Sequence, residues 1–273
     1  MRSRMCLHQI MMGFNPDRRQ TSRPAGPRWM SQTWSNLLFM HWPVDEAILA
    51  PYLPHPLEVD QHEGTGWIGL IPFQMQKVRP VVGPPIPGLS SFGEVNVRTY
   101  VMHHGEPGVW FFSLDASSPL AVWLARTVFH LPYYRASIKS DQDEAGFRFR
   151  SRRRTKSEPG ADLEVAWQPG APLGRIKPGS LDWFLTERYR LFTAVKNEIR
   201  SVEIRHEPWP LRHATLQHFE SSLIEATGLP TPTGAPVLHH SDELAVEVWP
   251  VRSTTRTSES ESLLESDGAI KPV

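Results

Sequence analysis

Residues 94–101, with the sequence EVNVRTYV, alternate strictly between polar and apolar side chains. Because successive side chains of a strand point to opposite faces, Glu94, Asn96, Arg98 and Tyr100 are predicted to share one face. An acid, an amide, a guanidinium and a phenol within about 20 Å of extended backbone are typical of a site lining. Glu94 could act there as a general acid or base, and Arg98 could hold a substrate carboxylate. The alternative is a surface strand whose polar face meets water.

Two adjacent tyrosines, Tyr133 and Tyr134, are the second group of candidate site residues. Pro132 favours an extended conformation at Leu131, so the two tyrosines are predicted to leave a helix on an extended segment with their side chains on opposite faces. One of them should then point inward and donate a hydrogen bond to a carbonyl or enolate oxygen. Packing residues with hydrated hydroxyls are the alternative.

A third group is the arginine pair Arg188 and Arg190, which alternates with Tyr189 after Glu187. A guanidinium on a strand facing a cavity could bind a substrate carboxylate through two hydrogen bonds. The same arginines could instead pair with Glu94 or Glu187 and serve only the fold.

Metal and cofactor signatures are absent from the sequence despite its 12 histidines. The histidine doublets at 103–104 and 239–240 face opposite ways on a strand, and no metal-binding spacing on a helix occurs. Glycine-rich dinucleotide loops, Walker-type loops and the nucleophile elbow of hydrolases are also missing. The sequence therefore predicts no metal site and no cofactor.

The elements that must position these groups are short strands rich in β-branched and aromatic residues. One main helix is predicted at about 117–130, where Ser117 or Ser118 can cap the first turn and Pro119 suits it. Shorter helices are predicted at 45–50 and around 218–227. The predicted strands are 34–39, 66–73, 94–101, 108–114, 147–152, 163–167, 188–195, 198–205 and 244–249. This pattern predicts a mainly β chain with a few helices, folded as an antiparallel barrel or sandwich.

Composition narrows the possible partners. Basic and acidic residues cancel to a formal net charge of +0, which gives no field toward nucleic acid or an anionic membrane. The basic run at 148–156 is interpreted as the solvated face of an edge strand. The single cysteine, Cys6, cannot form a disulfide within the chain, which favours a cytoplasmic location. Residues 1–31 and 252–273 are predicted to be disordered tails on either side of a single domain at 32–251.

Several ordered segments resemble a family of uncharacterised bacterial proteins, the YqjF-like family, within the acetoacetate decarboxylase-like superfamily. The resemblance covers about residues 34–250 and implies an antiparallel closed or cone-like barrel around a central cavity. It is carried by WSNLLFMHW (34–42), LP (53–54), LEVD (57–60), GEVNVRTYV (93–101), FFSLD (111–115), AR (125–126), LPY (131–133), ERY (187–189) and HEPWPL (206–211).

The resemblance also implies what this chain has lost. True decarboxylases of the superfamily form a Schiff base on a lysine whose pKa is lowered by a neighbouring lysine. Both lysine positions correspond to tyrosines here, Tyr133 and Tyr134, whereas the assisting glutamate corresponds to Glu94. A phenol cannot form an iminium, so classical acetoacetate decarboxylation is not expected.

Three hypotheses follow from these residues. The first is a small-molecule enzyme that acts on a keto or unsaturated carboxylic acid by acid/base chemistry, with Glu94, Tyr133 and Tyr134 as catalytic candidates. Its substrate-binding candidates are Asn96, Arg98, Tyr100 and Arg188. The second is a non-catalytic barrel that binds a small ligand, and the third is a closed polar network that only stabilises the fold. The expected partner is a small molecule, without nucleic acid or membrane, and a homo-oligomer is possible.

Overall fold

A computed structural model describes residues 23–81, 88–154 and 160–254 of this chain. Most of both predicted tails lies outside the described residues, as do Cys6, the prolines at 84, 85 and 87, and Lys156. In the described ranges, no helix is both long and apolar enough to cross a membrane.

Strands dominate the fold, which confirms the prediction of a mainly β chain. The strands are β1 (Met30–Val44), β2 (Glu58–Val59), β3 (Gly66–Pro80), β4 (Ser91–His103), β5 (Glu106–Ala116), β6 (Tyr133–Asp143), β7 (Gly146–Arg153), β8 (Asp162–Pro172), β9 (Arg190–Val195), β10 (Glu198–His206), β11 (Leu211–Ser221), β12 (Val237–Val248) and β13 (Arg252–Ser253). The helices are α1 (Glu46–Leu49), α2 (Pro119–Leu124) and α3 (Leu181–Thr186), with short turns at Ala50–Tyr52, Ala125–Phe129 and Glu225–Thr227.

The predicted main helix is present as α2 and the π-helical turn that follows it. Ser118 caps it by accepting a hydrogen bond from the Ala121 amide at 3.1 Å. It ends at His130, which has a left-handed backbone with φ of 52°. The short helix predicted around 218–227 is present only as the helical turn Glu225–Thr227, because β11 continues to Ser221. Pairing with β8 along most of its length holds β11 extended.

Nine strands close into a ring through consecutive pairing, in the order β4, β5, β6, β7, β8, β11, β12, β1 and β3. Almost all of these pairs are antiparallel, and the parallel contact of β5 with β6 is the exception within the ring. The barrel-like prediction is therefore confirmed in an approximate form. The interior of this ring is packed with apolar side chains that include Phe149, Val165 and Trp167.

A second, smaller ring shares five of these strands. β5, β4, β3, β1 and β12 pair in sequence, β10 pairs with β12, β9 pairs with β10, and β9 returns to β5. The return contact is parallel and joins Val109 to Leu191 and Trp110 to Phe192. This seven-strand ring encloses the candidate site.

The shared strand β4 is buried on both faces, which explains its alternation. Val95 and Val97 pack into the apolar core of the nine-strand ring. Glu94, Asn96 and Arg98 point the opposite way and line the cavity of the seven-strand ring. The polar face of β4 is therefore an internal surface rather than a hydrated one.

The basic run of β7 is solvated only in part, because Arg148, Arg150 and Arg152 are exposed whereas Arg153 is buried, and β7 is not an edge strand. It pairs with β6 on one side and β8 on the other. Three of its exposed arginines face acids, in the pairs Arg148–Asp143, Arg150–Glu164 and Arg152–Asp162. Those arginines are therefore already paired with carboxylates.

Candidate functional site

A cavity of about 160 Å³ lies inside the seven-strand ring. Cavities of about this size hold a benzene-sized molecule when their walls are apolar. Most of the wall is apolar and comes from strands β1, β3, β4, β5, β9 and β10 and from helix α2. The polar side chains that line it include Gln32, Glu94, Asn96, Arg98, Tyr133, Arg188, Arg190 and His206.

Glu94 is the acid of this cavity, and only 2% of its surface is exposed. The Tyr133 hydroxyl donates a hydrogen bond to Glu94 Oε2 at 2.9 Å. Burial raises the pKa of Glu94 to about 8; the bond from Tyr133 opposes this rise, and the nearby charge of Asp115 adds to it. At neutral pH Glu94 is therefore mainly protonated and can donate a proton.

The side chains of Tyr133 and Tyr134 point to opposite faces of β6, because the two residues are adjacent on this strand. Tyr133 lies opposite Leu114 on β5, and its side chain lines the cavity. Tyr134 points to the other face of β6, where the Arg153 guanidinium lies 3.8 Å from the centre of its ring. The structure therefore brings Tyr133 to Glu94 and places Tyr134 outside the cavity lining.

Arg98 is the cavity arginine without a carboxylate partner in the described part of the chain. Its Nη2 donates to the Tyr100 hydroxyl at 3.3 Å and to the Leu185 carbonyl at 3.4 Å. Its Nε is buried and makes no hydrogen bond there. Since Glu94 is mainly neutral at pH 7, Arg98 adds a positive charge that no acid in the cavity cancels.

Tyr100 lies beyond the cavity and helps to hold Arg98. Its hydroxyl donates to the Leu185 carbonyl at 2.6 Å and contacts His41 Nε2 at 2.6 Å. Burial lowers the pKa of His41 well below its usual value, so this imidazole is neutral. Tyr100 is fully buried and does not line the cavity. Its role is therefore to position Arg98 through the hydrogen bond that its hydroxyl accepts.

The other two arginines of the lining are engaged by acids. Arg188 pairs with Asp60, and Arg190 pairs with Glu106 and Glu203. The acids in these salt bridges, Asp60, Glu106 and Glu203, were not among those that the sequence suggested. Within the described residues, Arg188 also keeps one buried nitrogen, Nη2, without a hydrogen-bond partner.

An aromatic wall completes the cavity, and sequence reasoning did not assign it to the site. The guanidinium of Arg98 lies 5.6 Å from the Phe39 ring, and Phe39 meets Trp209 edge-on at 5.0 Å. Trp209 stacks on Trp34 at 5.8 Å, and His206 lies 5.2 Å from Trp209. The aromatic residues of this wall lie in the segments WSNLLFMHW (34–42) and HEPWPL (206–211). These segments are far apart in sequence, and only the fold brings them into contact.

Glu187 holds the Trp209 end of this wall. It accepts hydrogen bonds from the Trp209 amide at 3.0 Å and from the Tyr189 hydroxyl. The Trp209 indole donates to the Thr186 carbonyl at 2.9 Å. These contacts fix the Trp209 ring against the cavity.

A buried ion pair lies behind Glu94. Arg153 donates to Asp115 Oδ1 at 2.7 Å through Nη2 and to both carboxylate oxygens through Nε, and both side chains are almost fully buried. Asp115 is opposite Val95 in the sheet and faces away from the cavity. Its charge nevertheless raises the pKa of Glu94, so the pair is part of the electrostatic surroundings of the site.

Lysines and metal ligands are not gathered at the site within the described ranges. Each of Lys77, Lys139, Lys177 and Lys196 is exposed, and none lines the cavity. The described residues also contain no group of three or more His, Cys, Asp or Glu side chains that could hold a metal ion.

Tyr133→Phe is expected to raise the pKa of Glu94 above about 8, since the bond from Tyr133 lowers it. Carbon NMR titration of labelled glutamate carboxyls measures this value directly. Tyr134→Phe is the matched control, because it removes an adjacent phenol that does not contact Glu94, and it should leave the titration unchanged. An equal shift in both variants would show that the Tyr133 bond does not control the proton on Glu94.

Comparisons with known proteins agree with this architecture. Residues 31–245 match the model of the family DUF2071, described as an uncharacterized conserved protein. The chain is 41% identical over 220 residues to the uncharacterized protein YqjF of Bacillus subtilis (strain 168), covering 81% of this chain and 90% of that protein.

Solved structures share the fold at low sequence identity. The enduracididine biosynthesis enzyme MppR, complexed with pyruvate, superposes with a TM-score of 0.56 at 14% identity, covering 86% of this chain and 93% of that one. Acetoacetate decarboxylase from Legionella pneumophila gives a TM-score of 0.56 at 13% identity, covering 87% and 94% of the two chains. The likeness to acetoacetate decarboxylase-like proteins is one of fold.

Proposed function

Because the chain belongs to the DUF2071 family of uncharacterized conserved proteins, we propose its function from the cavity. The fold alone does not define the chemistry of this chain. We propose that the protein is an enzyme that transfers a proton to or from a small keto or unsaturated carboxylic acid. It would do so without a Schiff base, by acid/base chemistry at Glu94.

One observation carries this proposal. The same cavity of about 160 Å³ contains a mainly neutral carboxylic acid, Glu94, and an arginine without an acidic partner in the described chain, Arg98. A buried guanidinium is stabilised by an anion that hydrogen-bonds to it, and a carboxylate offers two oxygens for this purpose. The cavity therefore suits a small organic acid with its carboxylate at Arg98.

The chemistry follows from the position of the two groups on one strand. Glu94 and Arg98 are four residues apart on β4, which is about 13 Å of extended backbone, and the long Arg98 side chain spans part of that distance. With the carboxylate at Arg98, the remainder of the substrate extends past Asn96 toward Glu94. Protonated Glu94 would donate to a carbonyl or enolate oxygen, or to an unsaturated carbon, and the Tyr133 hydroxyl would stabilise the carboxylate that remains.

Other features support acid/base chemistry over imine chemistry. The four described lysines are exposed, and Tyr133, to which the superfamily resemblance assigns one of the two lysine positions, lines the cavity. The pKa of Tyr133 is raised well above its usual value, by burial first and by Glu94 second, so its hydroxyl keeps its proton. The named complex of MppR with pyruvate supports a keto acid as the substrate class.

Arg98→Gln is expected to weaken the binding of small carboxylic acids by about 10- to 100-fold, because a hydrogen bond to a charged group contributes about 1.5–3 kcal/mol. Thermal-shift screening with keto, unsaturated and aromatic monocarboxylates will identify binders, and calorimetry will give their dissociation constants. Arg152→Gln is the control, since Arg152 is an exposed arginine of the same fold.

The methyl esters of the same acids separate charge recognition from shape. They lack the anionic carboxylate, so their affinity should hardly change in Arg98→Gln. Failure of every acid to bind the wild type, or equal loss of acid and ester in Arg98→Gln, would contradict the proposed role of Arg98.

A further inference from the structure

We propose that Trp34 and His206 form a second polar subsite in the cavity, which binds a hydroxyl group of the substrate. This inference rests on the proposed function and deepens it, because it specifies a hydroxy-substituted carboxylic acid. It follows from two buried ring nitrogens at the cavity wall and from the chemistry that each can offer.

Both nitrogens lack a hydrogen-bond partner within the described structure. Trp34 Nε1 and His206 Nε2 are buried and unbonded, and both side chains line the cavity. Their ring centroids are 6.4 Å apart, which places the two side chains next to each other in the cavity wall. A buried polar atom without a partner is costly, and such atoms in native proteins normally meet a ligand or an ordered water.

The two nitrogens have complementary roles. An indole Nε1–H can only donate a hydrogen bond. The His206 Nδ1 contacts the Glu207 carbonyl at 2.7 Å, and since a carbonyl only accepts, the proton lies on Nδ1. Burial lowers the pKa of His206, although the backbone carbonyls of Glu207 and Arg188 and the charges of Glu187 and Glu207 oppose this effect, so the ring is neutral and Nε2 is an acceptor. One donor beside one acceptor matches a hydroxyl, which both accepts and donates.

The subsite lies away from Arg98 along the aromatic wall. Phe39 and Trp209 stand between the Arg98 guanidinium and the Trp34 ring. Trp34 meets Phe73 edge-on at 5.9 Å, and Phe73 is directly opposite Glu94 in the sheet. The substrate would therefore have a carboxylate at one end, a flat apolar body against the wall, and a hydroxyl beyond the reacting group.

Matched ligand pairs test this subsite by calorimetry. The probes are benzoate with 3- and 4-hydroxybenzoate, and phenylpyruvate with 4-hydroxyphenylpyruvate. In the wild type, at least one hydroxylated acid is expected to bind at least about 10-fold more tightly than its parent, because the hydroxyl satisfies two buried groups. The methoxy analogue of that acid cannot donate to His206, so it should lose this advantage.

Trp34→Phe keeps an aromatic ring at the wall and removes the donor. We expect it to reduce the affinity of the hydroxylated acid by about 10-fold while changing that of the parent acid by less than about 2-fold. Comparable loss for both ligands would show that Trp34 is only a wall, and this would overturn the subsite.

The outcomes also distinguish the two proposals. Parent and hydroxylated acids that bind wild type equally well would overturn the hydroxyl subsite, leave the proposed function intact, and favour a water between the two rings. Absence of binding by all five acids, together with no binder in the wider screen, would overturn both proposals. The wild-type measurements suffice for these decisions even if the variant does not fold.

Discussion

Glu94→Gln is expected to lower turnover of an acid substrate by about 10²–10⁴-fold, the range typical of a lost general acid or base. Glutamine keeps the shape of a protonated carboxyl and can still accept the bond from Tyr133. It has no proton to transfer, so binding of the substrate should persist while the reaction slows. Steady-state and single-turnover kinetics on a ligand found by thermal-shift screening separate these two effects.

The same substitution has a predicted effect on stability, whose sign follows from the raised pKa. Folding raises the Glu94 pKa from 4.5 to about 8, so between these values the folded state binds more protons than the unfolded state. The contribution of Glu94 to the free energy of unfolding is fully present below about pH 4.5 and is lost as the pH rises through about 8. One pKa unit corresponds to about 1.4 kcal/mol, so the loss above pH 8 is on the order of a few kcal/mol.

Glu94→Gln should therefore be more stable than wild type at pH 9 and similar to it at pH 4, as measured by urea denaturation across this range. The control is Glu164→Gln, which changes an exposed acid of the sheet. Gln32→Glu is not suitable, because it adds an acid to the same cavity. If Glu94→Gln leaves both turnover and the pH dependence of stability unchanged, Glu94 is not the acid proposed here. If an acid binds well but no reaction is found in the wild type, the non-catalytic ligand-binding hypothesis is favoured.

Asp115→Asn is expected to destabilise the protein by about 3–5 kcal/mol, since it leaves the buried guanidinium of Arg153 without its counter-charge. Both side chains of this pair are almost fully buried, so solvent does little to screen the unpaired charge. Urea or thermal unfolding at pH 7 measures the effect. The variant should also lower the pKa of Glu94, because Asp115 raises it.

Asp162→Asn provides the matched control, since Asp162 of β8 pairs with Arg152, the exposed neighbour of Arg153 on β7. Exposed ion pairs contribute about 0–1 kcal/mol, so this variant should remain close to wild type. Replacing both members of the buried pair, as in Asp115→Leu with Arg153→Met, is expected to recover much of the lost stability. Similar stability in the Asp115 and Asp162 variants would show that the buried pair does not contribute more to the stability of the fold than an exposed pair.

Local patterns predicted the features that depend on local geometry. The period-two alternation at 94–101 placed Glu94, Asn96 and Arg98 on one face because strand geometry alone decides that. The Ser118 cap and the extended exit after Pro132 were likewise short-range, and so the sequence indicated that Tyr133 and Tyr134 would separate. It could not indicate which of them faces Glu94, because that depends on the register between β5 and β6.

Features that depend on distant pairing were not predictable in this way. The β11 segment LRHATLQHFES has few β-branched residues, and its extended shape comes from its β8 partner rather than from its own propensity. The aromatic wall joins Trp34 to Trp209 across 175 positions, and the second ring closes through two residue pairs between β5 and β9. Only the assembled sheet determines that Asp115 meets Arg153 rather than a substrate.

The burial of both faces of β4 has a consequence for how this protein can evolve. This strand separates the packed core of the nine-strand ring from the cavity of the seven-strand ring, and a close-packed core transmits changes in volume instead of absorbing them. A substitution at Val95 or Val97 on one side therefore displaces Glu94 and Asn96 on the other. New substrate preferences would accordingly arise through paired substitutions on both faces of β4. Residues that do not contact the ligand would then also be under selection.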